Sequence, residues 1–296
     1  MSSSFSWGSL ILFLFFIFDY RRFKSKYILQ YTCGIMNADG LIELFQKMEN
    51  KFDKQPAVVK DNSKKILFVG DVHGDLETMS IVDEIGYGYD KIVFLGDFVD
   101  RGVNDTEVAE RISNMYLNDH RIVVLAGNHD ASDCVYPCDW GDRLFHNFGA
   151  GGSRIRKAYN CAFKKAPVAY YNEEYKLLGL HGFIPIPQNG GRWDINKWKK
   201  TDSDIINEIL WNDPLLDENG VNPSERGDYI WNVGRDITEQ FMGWNNLEYI
   251  VRSHQPRINK IFKLSDGKKV VNIGSSSFYE TRGFFMMPGG KIYKHL

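Results

Sequence analysis

Three short apolar runs, Lys65–Val69 (KILFV), Lys91–Leu95 (KIVFL) and Arg121–Ala126 (RIVVLA), each end in glycine followed by Asp or Asn. Between them lie two segments with helical character, Leu76–Ile85 and Thr106–Leu117. Strands that alternate with helices pair in parallel, because a parallel connection needs a crossover long enough to hold a helix. A parallel sheet is covered on both faces, which accounts for runs that are apolar throughout. It also fixes where chemistry can sit, since ligands of such sheets gather at the carboxyl ends of the strands. The polar clusters of this chain stand there: Gly70-Asp71-Val72-His73-Gly74, Gly96-Asp97-Phe98-Val99-Asp100-Arg101-Gly102 and Gly127-Asn128-His129-Asp130.

The rest of the chain adds to this frame. Apolar residues from Leu41 to Phe52 recur at helical spacing, with Asp39 as the expected N-cap. Gly141–Ala166 reads as helix interrupted at Gly149–Gly152. Lys176–Leu180 is a strand ending in His181-Gly182. Gln188–Trp198 is loop, Ile205–Leu210 a short helix, and Trp211-Asn212-Asp213-Pro214 opens a long polar loop to Asp228, its expected role a turn. Asp236–Trp244 is helical. Tyr249–Val251 is a strand leading into Arg252-Ser253-His254-Gln255. Ile261–Leu264, Lys269–Ile273, Phe284–Met287 and Lys291–His295 read as a strand meander with Gly-containing turns. The fold class is therefore α/β, with a second, mixed sheet stacked on the first and helices flanking both. No linker divides residues 36–296, which are expected to form one domain.

Formal net charge is −2, so no global basic field points to nucleic acid or anionic lipid. Phosphate recognition must then rest on a few placed arginines. Cys134 and Cys138 are read as reduced loop thiols rather than a zinc or redox pair, and the cysteine spacings make no disulfide framework. Residues 7–18 (WGSLILFLFFIF) fall short of the ~20 residues of a spanning helix. Residues 1–35 are expected to be an extension ahead of a natural start at Met36. The alternative is a short membrane tether, which would leave the main domain cytoplasmic.

Five strand ends with Asp, His and Asn suit a pair of catalytic cations. Asp71 and His73, two residues apart just past a strand, can face one ion. Asp97 from the neighbouring strand can bridge to another. Asn128 offers a neutral oxygen, and His181 and His254 two more imidazoles. These six ligands suffice for two ions ~3.5–4 Å apart. Manganese is the first expectation, and iron, zinc and magnesium suit the same donors. His129 stands apart as a proton donor for a leaving alkoxide, with Asp100 as the partner that fixes its tautomer. Arg101 and Arg226 are phosphate clamps. Arg252 is read as structural rather than a third clamp.

With these residues in view, GDVHG, GDFVDRG, GNHD, LHG and RSHQ resemble the signature blocks of the metallophosphoesterases, and more narrowly of the phosphoprotein phosphatase (PPP) serine/threonine phosphatases. WNDP resembles that family's WSDP block. The resemblance spans Ile66 to about Tyr279. It implies two central sheets flanked by helices, the ligand and acid roles above with Asp97 bridging, and a phosphate contact from Tyr279. It implies hydrolysis of phosphoserine and phosphothreonine by direct attack of a metal-bridging water, on phosphoprotein or phosphopeptide substrates. Asp130 in place of the usual Glu, and Phe183 in place of a glycine, point to a prokaryotic, archaeal-like branch. The rival readings are a diadenosine-tetraphosphatase-like nucleotide hydrolase and a non-catalytic binding or scaffold protein of the same fold.

Overall fold

Leu41, Leu44, Phe45, Met48 and Phe52 are buried along one stripe of helix α1 (Ala38–Asp53), as their spacing requires. The structure, a computed structural model, describes residues 36–133, 135–187, 193–280 and 282–295. The expectations for residues 1–35 and for Cys134 lie outside these residues. The N-cap of α1 is Asn37 rather than Asp39: Asn37 Oδ1 accepts from the Gly40 amide at 2.9 Å. Asp39 sits inside the first turn, where a negative charge suits the helix dipole.

Strand β1 (Val58–Asp61) precedes the predicted alternation, which the structure bears out. Strands β2 (Ile66–Val69), β3 (Lys91–Phe94) and β4 (Ile122–Val124) pair in parallel, with Val69 opposite Phe94 and Phe94 opposite Val124. Helices α2 (Leu76–Ile85) and α3 (Asp105–Asn118) are the crossovers. A single helical turn, α4 (Asn128–Ala131), follows β4. The glycine-interrupted segment is two helices, α5 (Asp139–Phe148) and α6 (Gly151–Phe163), with Gly149 at φ 55° between them.

Strands β5 (Ala169–Asn172) and β6 (Leu177–Leu180) follow, then helix α7 (Ser203–Trp211). The expected polar loop to Asp228 is instead part of a small sheet. Its strands are β7 (Asp213–Leu215), β8 (Val221–Pro223) and β9 (Trp231–Gly234), in the order β7-β9-β8. Helix α8 (Arg235–Trp244) leads to β10 (Tyr249–Arg252), β11 (Lys260–Lys263), β12 (Lys269–Asn272), β13 (Arg282–Met287) and β14 (Lys291–His295). These last strands do not form one meander. β11 and β12 extend a six-stranded sheet of order β1-β5-β6-β10-β12-β11. β13 crosses to pair antiparallel with β2, Phe284 opposite Val69, and completes a five-stranded sheet of order β14-β13-β2-β3-β4.

The two large sheets stack as expected. Ile66, Phe68 and Val93 of one face Tyr170, Val251 and Val271 of the other. Side chains one residue out of phase point away: Leu178, Ile250 and Val270 pack against Ile205 and Ile209 of α7 and Phe241 of α8. On the far side, rings run from the sheet into the helices in the contacts Phe94–Phe98, Phe98–Phe163, Phe52–Phe163 and Phe52–Tyr116. The layers are thus helix, sheet, sheet, helix. Between the sheets, a Cβ on Gly179 would lie only 3.1 Å from Phe68 Cε1, so a larger residue there would require the Phe68 ring to shift.

Phe68 is fully buried against Tyr170 and Phe285, with ring centroids 5.9 and 6.1 Å away. Phe68→Ala should cost about 3–5 kcal/mol in urea unfolding. Tyr293→Ala, on the exposed strand β14, should cost less than about 1 kcal/mol. Equal losses would contradict this account of the core.

Candidate active site

The ends of the two sheets meet at one cleft. Asp71 follows β2 by two residues and forms a parallel bridge with Gly274, just past β12. Its Oδ1 accepts from the His254 amide at 3.0 Å and from the Ser253 hydroxyl, both past β10. Of the eleven residues singled out from sequence, nine line the cleft. The other two, Asp100 and His181, are fully buried immediately behind it.

The expected ligands converge as acceptors. His73 Nδ1 contacts the Val99 carbonyl at 2.8 Å and His181 Nδ1 the Leu95 carbonyl at 3.0 Å. A carbonyl only accepts, so each Nδ1 donates its proton there and each Nε2 turns into the site. His73 Nε2 lies 3.8 Å from Asp71 Oδ2 and 3.7 Å from Asp97 Oδ2. His181 Nε2 lies 2.8 Å from Asn128 Oδ1, 3.2 Å from His254 Nδ1 and 3.4 Å from Asp97 Oδ2. His254 Nε2 is buried without a hydrogen-bond partner. Carboxylate and amide oxygens crowded with ring nitrogens in a buried site suit positive charge, which a divalent cation would supply. Two sets of ligand atoms, from His73, Asp97 and His129 and from Asp97, His181 and His254, each fall within 4.8 Å of one another. Asp97 belongs to both. The donor set therefore fits divalent metal. Burial would raise the Asp97 carboxyl, but the imidazoles of His181, His129 and His73 outweigh it and hold it well below the usual carboxylate range. Burial and the neighbouring His181 push His254 well down.

This convergence strains the backbone. His73, Asp97, Asp100, Arg101 and His254 all adopt positive φ, between 45° and 68°. Such residues cost of order 1–3 kcal/mol each and persist where the surroundings over-determine them. Asp130 is one of those determinants, and its part was invisible in the sequence beyond its departure from the family pattern. Its Oδ2 accepts from the Asp97 amide at 2.6 Å, and its Oδ1 accepts from the Phe98 amide at 3.1 Å and the Tyr159 hydroxyl at 2.7 Å. Burial and the charge of Asp97 push Asp130 up to about 7. Gly127 completes the fit, because a Cβ there would overlap the Asp97 carboxylate and amide.

His129 Nδ1 lies 2.9 Å from Asp100 Oδ2, and its Nε2 lies 3.4 Å from Arg101 Nη2 in the cleft. The Trp140 amide donates to Asp100 Oδ1 at 3.0 Å, and Arg156 Nη2 sits 3.6 Å from Asp100 Oδ2. Burial pushes the Asp100 carboxyl up, but these contacts prevail and hold it below its ordinary value. Arg156 also donates to the His129 carbonyl at 3.1 Å, which fixes both members of the pair. Neither Trp140 nor Arg156 carries a motif, and sequence reasoning missed both.

Arg226 lines the cleft, its Nε donating to Asp213 Oδ2 at 2.6 Å and its Nη2 to the His254 carbonyl at 3.5 Å. Asp213 Oδ1 takes Arg252 Nη2 at 2.8 Å. Arg252 is fully buried and also donates to the Gly182 carbonyl (2.7 Å), Gln255 Oε1 (2.8 Å) and Asn272 Oδ1 (2.6 Å). It is a structural residue, as expected. The WNDP block is more than a turn. Asn212 accepts from the Trp231 amide at 2.9 Å and donates to the Ile184 carbonyl at 3.0 Å. Asp213 joins two arginines, and the Trp211 and His254 rings stand nearly perpendicular with centroids 5.9 Å apart. Tyr279 lies 5.9 Å from the His73 ring, and the Arg101 guanidinium 6.0 Å from the Tyr279 ring.

The chain is 29% identical over 256 residues to serine/threonine-protein phosphatase T of Aspergillus oryzae, covering 80% of this chain and 52% of that protein. It is 27% identical over 246 residues to a protein phosphatase 2A catalytic subunit of Dictyostelium discoideum, covering 80% and 76%. The chain spans about half the length, or less, of the first relatives it matches. Its fold matches a solved protein serine/threonine phosphatase from Saccharomyces cerevisiae with a TM-score of 0.74 at 23% identity, covering 93% and 95% of the two chains. These relatives are eukaryotic, so the expectation of a prokaryotic, archaeal-like branch is not borne out. The family described as calcineurin-like phosphoesterase matches residues 64–257, well over half of the sequence, and the chain belongs to that family.

Proposed function

We propose that this protein is a metal-dependent protein serine/threonine phosphatase. The observation that carries the reading is the His129–Asp100 pair at 2.9 Å, with His129 lining the same cleft as the Asp71 and Asp97 carboxylates and the Arg101 and Arg226 guanidinium groups. A serine or threonine alkoxide is a poor leaving group and needs a proton as the P–O bond breaks. His129 is placed to give it, with Asp100 steadying the imidazolium. Arg101 and Arg226 bind and orient the phosphoryl oxygens, and Tyr279 closes the wall beside Arg101. Asp71, His73, Asp97, Asn128, His181 and His254 would hold two divalent ions, manganese foremost, with Asp97 shared. When bound, such ions lower the pKa of water and polarise the phosphoryl group. The phosphatase names of the relatives support a phosphoprotein substrate. Among the described residues no helix is long and apolar enough to cross a membrane.

His129→Asn should lower kcat on alkyl phosphates by about 10²–10⁴-fold, and far less on nitrophenyl phosphate, whose leaving group needs little protonation. Equal losses on both would sink the general-acid role. A panel that pairs phosphopeptides with dinucleoside polyphosphates tests the substrate class.

Metal removal gives an independent check. Chelation should abolish activity and lower the thermal midpoint, and added Mn²⁺ should restore both. At free metal about 100 times Kd the stabilisation is about 2.7 kcal/mol. Asp97→Asn should erase most of that metal-induced shift. An unchanged shift would remove Asp97 from the ligand set.

A further inference from the structure

Immediately after His254 the chain makes a turn that is held from several sides. The Ile258 amide donates to the Gln255 carbonyl at 3.0 Å and closes Gln255-Pro256-Arg257-Ile258. Asn272 Nδ2 donates to the carbonyls of Gln255 at 2.9 Å and Ile258 at 2.5 Å. Arg252 grips the Gln255 side chain at 2.8 Å, and the Gly274 amide donates to Asn259 Oδ1 at 3.0 Å. Proline in the second position pre-sets the backbone for such a turn. Pro256 itself lines the cleft.

The next residue, Arg257, is exposed. Its guanidinium lies 6.0 Å from the Tyr279 ring, the ring that Arg101 also approaches at 6.0 Å. The two guanidinium carbons are therefore no more than about 12 Å apart. Several other surface cations are neutralised by acids, among them Lys164 by Asp133, Lys165 by Asp53 and Lys268 by Asp266. Among the described residues no carboxylate pairs with Arg257. A rigid turn thus holds an uncompensated cation on the rim of the phosphate-binding cleft, in a protein of formal net charge −2.

We infer that Arg257 is the recognition arm of a second anion subsite. It takes a carboxylate or a second phosphate on the same chain as the scissile phosphoresidue. An extended peptide advances about 3.3–3.6 Å per residue, so the second anion lies within about three residues of the first. Substrates preferred by this site are acidic or multiply phosphorylated segments. The inference rests on the protein phosphatase reading, and its test separates the two.

The experiment compares kcat/KM for a phosphoserine peptide with neutral flanks against the same peptide carrying Asp, or a second phosphoserine, at each flanking position in turn. The wild-type enzyme should favour an anionic flank by about fivefold, mainly through KM, and the preference should shrink as salt rises. Arg257→Ala should bring the ratio to about one, Arg257→Lys should keep most of it, and Arg257→Glu should favour basic flanks. A gain from both flanks identifies a general anion site, and a gain from phosphoserine alone a phosphate site. A wild-type ratio near one, or a ratio that survives in Arg257→Ala, would overturn the subsite. If nitrophenyl phosphate is hydrolysed and no peptide is, the phosphatase reading fails on its own. The same peptides then serve as competitive inhibitors, and loss of the acidic-over-neutral ratio of inhibition constants in Arg257→Ala decides the subsite.

Discussion

In a parallel sheet every strand ends on the same edge, and the pairing of Val69 with Phe94 and of Phe94 with Val124 is where this molecule begins. Two, three and four residues beyond those positions stand Asp71, Asp97 and Asn128. The second sheet repeats the device. β6 and β10 also pair in parallel and deliver His181 and His254 at their ends. Stacking the sheets through Phe68, Tyr170 and Val251 sets the two edges side by side. The hydrogen bonds from Ser253 and His254 to Asp71 then tie one edge to the other. Core packing and site geometry are consequences of one arrangement.

That arrangement collects negative and lone-pair groups in a place water scarcely reaches, and the surrounding protein is organised to bear it. Asp130 takes two backbone amides and a tyrosine hydroxyl to keep the Asp97 loop in place. Arg252, fully buried, is matched by Asp213 and three further acceptors, so its charge is not left uncompensated. Asp213 in turn steadies Arg226. Arg156 touches both Asp100 and the His129 carbonyl. The residues that face the cleft are few, and those that aim them are spread over elements far apart in the chain.

This division explains what was legible in the sequence. Strands β2, β3 and β4 were readable because burial on both faces makes them apolar throughout. Asp71, His73, Asp97, Asn128 and His129 were readable because they follow those strands within a few residues. β1 escaped notice because an edge strand with the pattern VVKD has only one buried position, Val58. β13 was placed in the wrong sheet because its partner β2 lies more than 200 residues away, and nothing local records that pairing. Arg156 carries no local signal either, and the WNDP block marks Asp213 without its role, since both take their meaning from partners that the fold brings to them.

The five left-handed residues of the cleft bear on how genetic variation at this site is read. A side chain branched at Cβ resists that backbone region, whereas Asn and Gly enter it readily. At Asp97 or His254, a change to Val or Thr removes a functional group and also pulls the chain out of its path. A mutational scan will therefore rank substitutions there partly by backbone shape. Tolerance for Asn above Val at these positions would report geometry as much as chemistry.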